Sequence, residues 1–422
     1  MPRSTLRPLS VAYVATAPPR QCGIATFTRD LARAVEEIDP SIRQSFVAIA
    51  HDEPAGDYKR NVRLLIRQGD PDSYVAAAEA LNESSVDVVD VQHEFGLFGI
   101  WRDPFEDHLA PFLERLRKPL VTTLHTILPD PSPSVLDAIR RIGRYSDAVI
   151  VMAESGRRLL VERYGLDPAK LEVIHHGVPA PPATLDREAS RMRLAIDADP
   201  VVSTFGFVDP RKGLEYMIGA MAAVVARHPR ALYLIVGRTH PELVAKDGEA
   251  YRESLLALVR ERGLEANVAF IDRYLTRADI PDYLIASDVY VTPYLDPNQI
   301  TSGTLSYAVG LGRAIVSTRY AHAVEALADG RGLLVDFASE QSLADSVLRV
   351  LDDPALKERL ERSASIYGAA MTWPIVGRDT LRIFRRLAGK LDPAPVARPR
   401  RPTVMDVRRA ASGTMRAASE RE

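Results

Sequence analysis

Short aliphatic and β-branched runs alternate along the chain with longer amphipathic stretches. SVAYVAT (10–16), QSFVAIA (44–50), VRLLIRQ (62–68), VDVVDVQ (86–92), PLVTTLH (119–125), AVIVMA (148–153) and LEVIHHG (171–177) read as strands. Between them, ATFTRDLARAVEEI (25–38) and SYVAAAEALNES (73–84) read as helices. A second series follows: VVSTFGFV (201–208), ALYLIVG (231–237), VAFIDR (268–273), VYVTPY (289–294), RAIVST (313–318) and GLLVDF (332–337). Alternation of this kind predicts an α/β protein with parallel sheets. Two series predict two doubly wound domains facing across a cleft, with the ligand at the carboxyl ends of the strands.

A Pro-rich and charged stretch, PAPPATLDREASRMRLAIDADP (179–200), separates the series. The expected boundaries are a first domain at 1–185, a linker at 186–200 and a second domain at 201–370. From residue 390 to 422 the chain turns Pro- and Arg-rich with little apolar periodicity, as in a disordered, solvated tail. Its basic residues leave contact with an anionic membrane or partner open.

With 422 residues the chain is too long for one ordinary core, which agrees with two domains. Lys and Arg (54) nearly balance Asp and Glu (56), which argues against a nucleic-acid-wrapping protein but not against a local basic groove for a small phosphate ligand. The single cysteine, Cys22, excludes an internal disulfide framework and a Cys-rich zinc site. No apolar run reaches the roughly 18 residues of a membrane span. At the N-terminus the strand-like VAYVAT runs into a Pro pair, unlike a signal peptide. A cytoplasmic protein is expected.

Three places suit an anion. Gly23 lies in the turn between the first strand and a helix expected to open near Ala25–Thr26, where free amides and the helix dipole favour a phosphate oxygen. A glycine there also serves the backbone alone, and the G-x-G-x-x-G fingerprint is absent. In FGFVDPRKGLEYMIGAM, Arg211 and Lys212 stand between a strand and a long helix, placed to clamp a diphosphate and stabilise it as a leaving group. Thr301, Ser302 and Gly303 open an expected helix at 303–311, where hydroxyls cap and amides point outward. The plainer reading of that triplet is an ordinary N-cap.

Of nine histidines, His93, His125 and His176 fall at strand ends, suited to a sugar hydroxyl or to a structural hydrogen bond. The triplets Asp70-Pro71-Asp72 and Asp197-Ala198-Asp199 have the form of a D-x-D metal motif, but one lies at a Pro turn before a helix and the other in the linker. No metal site is expected. G-x-S-x-G, H-E-x-x-H and Walker A sequences are absent.

Taken together these segments resemble glycosyltransferase family 4, retaining enzymes with the two-domain GT-B fold. The resemblance covers roughly residues 8–388. FGFVDPRKGLEYMIGAM is similar to the family's G-R-x-x-x-x-K-G segment, IASDVYVTPY to A-A-D-V-F-V-x-P-S, and GRAIVST with EALADGRGLLVDF to G-x-P-V-V-A with P-E-V and G-x-L-V. Cys22-Gly23-Ile24 resembles the G-G-x donor-phosphate loop, TLHTI the segment whose histidine approaches the donor sugar, and MTWPIVGRDTLRIF the helix that crosses back to the first domain, placed at 371–389.

The chain also departs from the family. Aligned on Gly312, Gln299 and Tyr307 occupy the two positions of the family's E-x7-E glutamates, and Phe207 stands near its arginine. The resemblance implies transfer of a hexose, mannose or glucose, from GDP-mannose or UDP-glucose to a carbohydrate or other hydroxyl acceptor, with no cofactor and no metal. It assigns Arg211 and Lys212 to the diphosphate, Gly23 and the Thr301, Ser302 and Gly303 amides to its oxygens, and His125 and Gln299 to the donor sugar. Tyr307 falls on the ribose side, and Glu325 serves either as a helix cap or as a ribose contact. The lost carboxylates keep a non-catalytic sugar-nucleotide-binding protein in view, and the cleft also suits a sugar phosphorylase or a nucleotide-sugar epimerase.

Overall fold

A computed structural model describes residues 7–20, 22–50, 58, 60–182 and 186–389. The basic tail expected at 390–422 lies outside the described residues. The first domain contains β1 (Ser10–Ala15), β2 (Arg43–Ala50), β3 (Val62–Arg67), β4 (Val88–His93), the small hairpin β5 (Gly99–Ile100) and β6 (Glu106–Asp107), β7 (Leu120–Leu124), β8 (Ala148–Val151) and β9 (Leu171–Val173). The second contains β10 (Val201–Phe205), β11 (Leu232–Val236), β12 (Val268–Ile271), β13 (Val289–Thr292), β14 (Ile315–Thr318) and β15 (Leu333–Val335).

The first sheet is parallel, in the order β3-β2-β1-β4-β7-β8-β9. The second is parallel in the order β12-β11-β10-β13-β14-β15. Both contain the expected strands. In each, strand order reverses beside the opening strand, at β1/β4 and at β10/β13, and such switch points leave a crevice at the carboxyl ends. Helices cover both faces, so strands such as SVAYVA are buried throughout and read as unbroken apolar runs.

Cap chemistry sets several helix starts. Asp70, Ser132 and Asp353 each precede a Pro at the first helical position and accept from an amide in the first turn. Asp70-Pro71-Asp72 is thus a cap, with Asp70 Oδ1 accepting from the Asp72 amide at 3.1 Å. Asp197 pairs instead with Arg230, and Asp199 with Arg191. The helix expected from Ala25 begins at Gly23 and runs to Ile38. The strand expected over 171–177 ends at Val173; Ile174 still bonds Val151, and beyond it the chain leaves the sheet.

Within 186–200, Asp186 caps the Arg187–Arg193 helix. Arg191 then bonds Asp288 and Arg193 bonds Asp282, tying this stretch to the second domain. The Trp373–Leu387 helix buries Trp373, Val376, Leu381, Ile383 and Phe384 in the core that contains Val11, Tyr13 and Phe27 of the first domain. Arg385 pairs with Asp39 there at 2.9 Å. No helix among the described residues is long and apolar enough to cross a membrane.

Candidate active site

The two crevices face one cleft of about 430 Å³, lined from both domains. Asp209-Pro210-Arg211-Lys212 follows β10 as a single tight turn. The Asp209 carboxylate accepts from Arg211 Nε at 2.9 Å and Nη2 at 2.7 Å. Burial pushes the Asp209 carboxyl up, but the Arg211 bonds outweigh it and hold it below its ordinary value. Gly213 closes the turn at φ 60°, where an added Cβ would stand 2.3 Å from the Pro293 carbonyl oxygen, so only glycine fits.

This turn places Lys212 Nζ 3.7 Å from the centroid of the Tyr294 ring, a cation–π contact. Tyr294 stacks on Tyr320 at 5.3 Å, and its hydroxyl lies 2.6 Å from Thr304 Oγ1. The lysine is therefore carried beside the N-terminus of the Gly303–Gly310 helix. Ser302 caps that helix, its Oγ accepting from the Leu305 amide at 3.3 Å. The Ser302 amide donates to His322 Nδ1 at 3.0 Å, and burial keeps that imidazole neutral by bringing its pKa down to about 4. The Gly303 and Thr304 amides donate to no protein acceptor among the described residues, and both residues line the cleft.

Across the cleft, Gly23 opens the first helix, and Thr26 Oγ1 bonds the Tyr274 hydroxyl at 3.0 Å, joining the domains. Arg277 approaches Asp30 at 3.9 Å. His176 lines the cleft, with its Nδ1 2.9 Å from the Gly177 carbonyl oxygen and so protonated. Its Nε2 is the lone-pair nitrogen, 3.0 Å from where a Cβ on Gly303 would lie. Burial brings its pKa down to about 4. Phe207 lines another wall, edge-on to His240 at 5.1 Å and 5.8 Å from Tyr274.

The structure brings Gly23, Arg211, Lys212, Gly303 and Tyr307 together on the cleft. Tyr307 packs edge-on against Phe205 at 6.0 Å, and burial raises its phenol well above the ordinary value. Five expected residues lie off the lining. His125 is half-buried and edge-on to Phe27, ring centroids 4.9 Å apart, and burial, aided by His176 and His93, brings its pKa down to about 3. Gln299 folds back on its own loop, Nε2 donating to the Thr301 carbonyl at 3.0 Å, and neither residue is part of the cleft lining. Ser302 is used up as cap and donor.

Glu325 is not part of the cleft lining and reaches across the domain boundary. Its two oxygens accept from the amides of Glu154 at 2.8 Å and Ser155 at 2.7 Å, capping the Glu154–Glu162 helix of the first domain. Burial pushes its carboxyl up, but these bonds outweigh it and hold the pKa below the ordinary value. Of the two roles left open in the sequence, this conformation places it as a cap. Asp209, Tyr294, Thr304, Tyr274 and His322 are site residues that sequence reasoning missed. The D-P pair before Arg211 was a readable cap signal for the first; the others are brought in by tertiary contacts.

Residues 22–180 match the profile of Glycosyltransferase Family 4, and residues 199–353 that of Glycosyl transferases group 1. The chain belongs to glycosyltransferase family 4. The glycosyltransferase is 29% identical over 303 residues to a D-inositol 3-phosphate glycosyltransferase of Kineococcus radiotolerans, covering 65% of this chain and 67% of that one. It is 26% identical over 267 residues to a GDP-mannose-dependent monoacylated alpha-(1-6)-phosphatidylinositol monomannoside mannosyltransferase of Corynebacterium glutamicum, covering 60% and 66%. The fold matches Anabaena HepE in complex with UDP at TM-score 0.71 and 17% identity, over 90% of this chain and all of that one. A sucrose-phosphate synthase from Thermosynechococcus elongatus matches at 0.71 and 19%, over 91% and 100%. The glycosyltransferase therefore has the GT-B fold.

Proposed function

We propose that this glycosyltransferase moves a hexose, mannose or glucose, from a nucleoside diphosphate sugar to a hydroxyl acceptor with retention of anomeric configuration and without a divalent metal. The observation that carries the reading is the meeting of Lys212 with the unbonded Gly303 and Thr304 amides on one cleft. A cation beside a free helix N-terminus is a seat for a diphosphate oxygen, and charge that develops there as the sugar departs is stabilised without reorganisation. Lys212, Arg211 and the helix end supply the positive charge that a metal would otherwise bring.

In this reading Phe207, His240 and Tyr274 give the nucleobase an aromatic wall. His176 and His125, both neutral, offer lone pairs to sugar hydroxyls. The acceptor hydroxyl attacks on the leaving-group face. The bond from the anomeric carbon to the phosphate oxygen breaks, the bond to the acceptor oxygen forms, and the departing phosphate takes the hydroxyl proton. No protein nucleophile takes part; the protein orients the substrates and excludes water. GDP-mannose in the name of the Corynebacterium relative and UDP-glucose in a complex of Anabaena HepE motivate the two donors.

A second reading, a sensor that binds the donor without turnover, is favoured by neutral Gln299 and Tyr307 where the family has glutamates. Purified protein and its Lys212→Ala variant are incubated with a panel of nucleotide sugars, with and without mixed sugar acceptors. Release of one nucleoside diphosphate that rises with acceptor and is lost in the variant supports transfer. Thermal stabilisation by a donor with no release under any acceptor overturns transfer in favour of the sensor.

A further inference from the structure

β4 carries a carboxylate in a setting that disfavours one. Asp90 is fully buried, in register with Tyr13 of β1 and Val121 of β7. Its Oδ1 has no hydrogen-bond partner. Burial holds its carboxyl up at about 7, opposed only by a bond from Gln92. An aliphatic residue or a serine would serve the sheet at lower cost to stability, so a buried acid here calls for another use.

Its surroundings supply one. Gln92 lies two residues on along the same strand and points to the same face. Its Nε2 stands 2.9 Å from Asp90 Oδ2 and 3.2 Å from Thr123 Oγ1, while its Oε1 stands 2.9 Å from His125 Nε2. Above about pH 7 the Asp90 carboxyl is ionised and only accepts, so in that state the amide presents Nε2 to Asp90 and Oε1 to the imidazole. His125 Nε2 then has to carry the ring proton. Its other nitrogen, Nδ1, keeps a lone pair and makes no hydrogen bond among the described residues.

We propose that Asp90 and Gln92 are positioning residues that fix the tautomer of His125, so that its Nδ1 lone pair accepts from a hydroxyl of the donor sugar. The inference rests on the reading of His125 as a donor-sugar contact. Phe27, edge-on to the ring, limits the rotation that would exchange the two nitrogens. The relay thus runs from a buried acid, through one amide of enforced direction, to a half-buried imidazole at the end of β7.

The test is a two-bond ¹H–¹⁵N spectrum of the full chain labelled at histidine, with His125 assigned by its loss in His125→Gln. Above about pH 7, where Asp90 is ionised, the wild type is expected in the Nε2–H form. In Asp90→Asn an amide pairs with Gln92 in either orientation, so a mixed tautomer is expected. Loss of one oriented hydrogen bond lowers kcat about tenfold, with the Kd for nucleoside diphosphate unchanged because its seat is untouched. Asp90→Asn combined with Gln92→Glu moves the carboxylate one step along the relay, where it accepts from both neighbours, and restores the Nε2–H form and turnover. A wild-type His125 protonated on Nδ1, or an Asp90→Asn protein with tautomer and kcat intact, overturns the proposal. If Asp90→Asn does not fold, the wild-type spectrum and the double variant decide it. The expected spectra without turnover of any donor support the tautomer assignment and count against the transfer reading alone.

Discussion

Glu325→Ala removes a carboxylate whose two bonds reach from the second domain to the amides of Glu154 and Ser155 in the first. A hydrogen bond to a charged group contributes about 1.5–3 kcal/mol net, and a carboxylate at a helix N-terminus a further ~0.3–1 kcal/mol. Because the side chain is half-buried, solvent and water replacement reduce the loss to about 2–3 kcal/mol, or roughly 30- to 150-fold in an equilibrium constant. These bonds join two domains rather than elements of one core, so the loss falls on the closed arrangement. Small-angle scattering of the nucleotide-free protein should show a larger radius of gyration, and the donor KM should rise several-fold while the unfolding midpoint of each domain barely moves. Since its folded pKa lies below the ordinary 4.5, the carboxylate's contribution is present above that value and is lost as pH falls through the folded pKa. An unchanged scattering profile together with an unchanged donor KM in Glu325→Ala would refute the latch.

Lys212→Met should weaken nucleoside diphosphate binding roughly 10- to 100-fold by calorimetry and flatten its salt dependence, since one charge-assisted contact is lost; binding unchanged in both respects removes the lysine from the seat. The raised Asp90 pKa, about 7 against 3.8, means the folded state holds a proton the unfolded chain releases, so this group costs stability as pH rises from about 4 to about 7. Asp90→Asn should therefore gain stability relative to wild type between pH 4 and 8, by at most about 4 kcal/mol; a pH-independent difference in melting temperature contradicts this. His93 and His125 at about 3, with His176 and His322 at about 4, act in the opposite sense. Their folded pKa values lie below the ordinary 6.5, so stability should fall as pH drops from about 6.5 to about 4, and melting curves of His322→Gln should lose part of that dependence.

Much of the fold was legible because parallel strands covered on both faces are short unbroken apolar runs, as in LYLIV and AVIV. Asp70-Pro71 marked a helix start for the same local reason. The Arg211-Lys212-Gly213 turn was legible too, since a strand end, two cations and a glycine lie within a few residues. What the sequence did not disclose depends on contacts between distant positions. Ser302 loses its amide to His322, twenty residues on, and Glu325 meets amides 171 and 170 residues away. Gln299 and Tyr307 share one motif spacing, yet one turns to its own loop and the other to the cleft, a divergence that side-chain geometry decides and spacing does not.

The most direct measurement follows the anomeric carbon itself. GDP-mannose and UDP-glucose, each ¹³C-labelled at the anomeric position, are incubated with the enzyme and mixed hydroxyl acceptors, and the one-bond carbon–hydrogen coupling is recorded over time. One donor signal is expected to give way to an α-glycoside signal, only with acceptor present and not in Lys212→Ala. A donor signal that persists under every acceptor, or that passes to free hexose, hexose 1-phosphate or a β-glycoside, contradicts it.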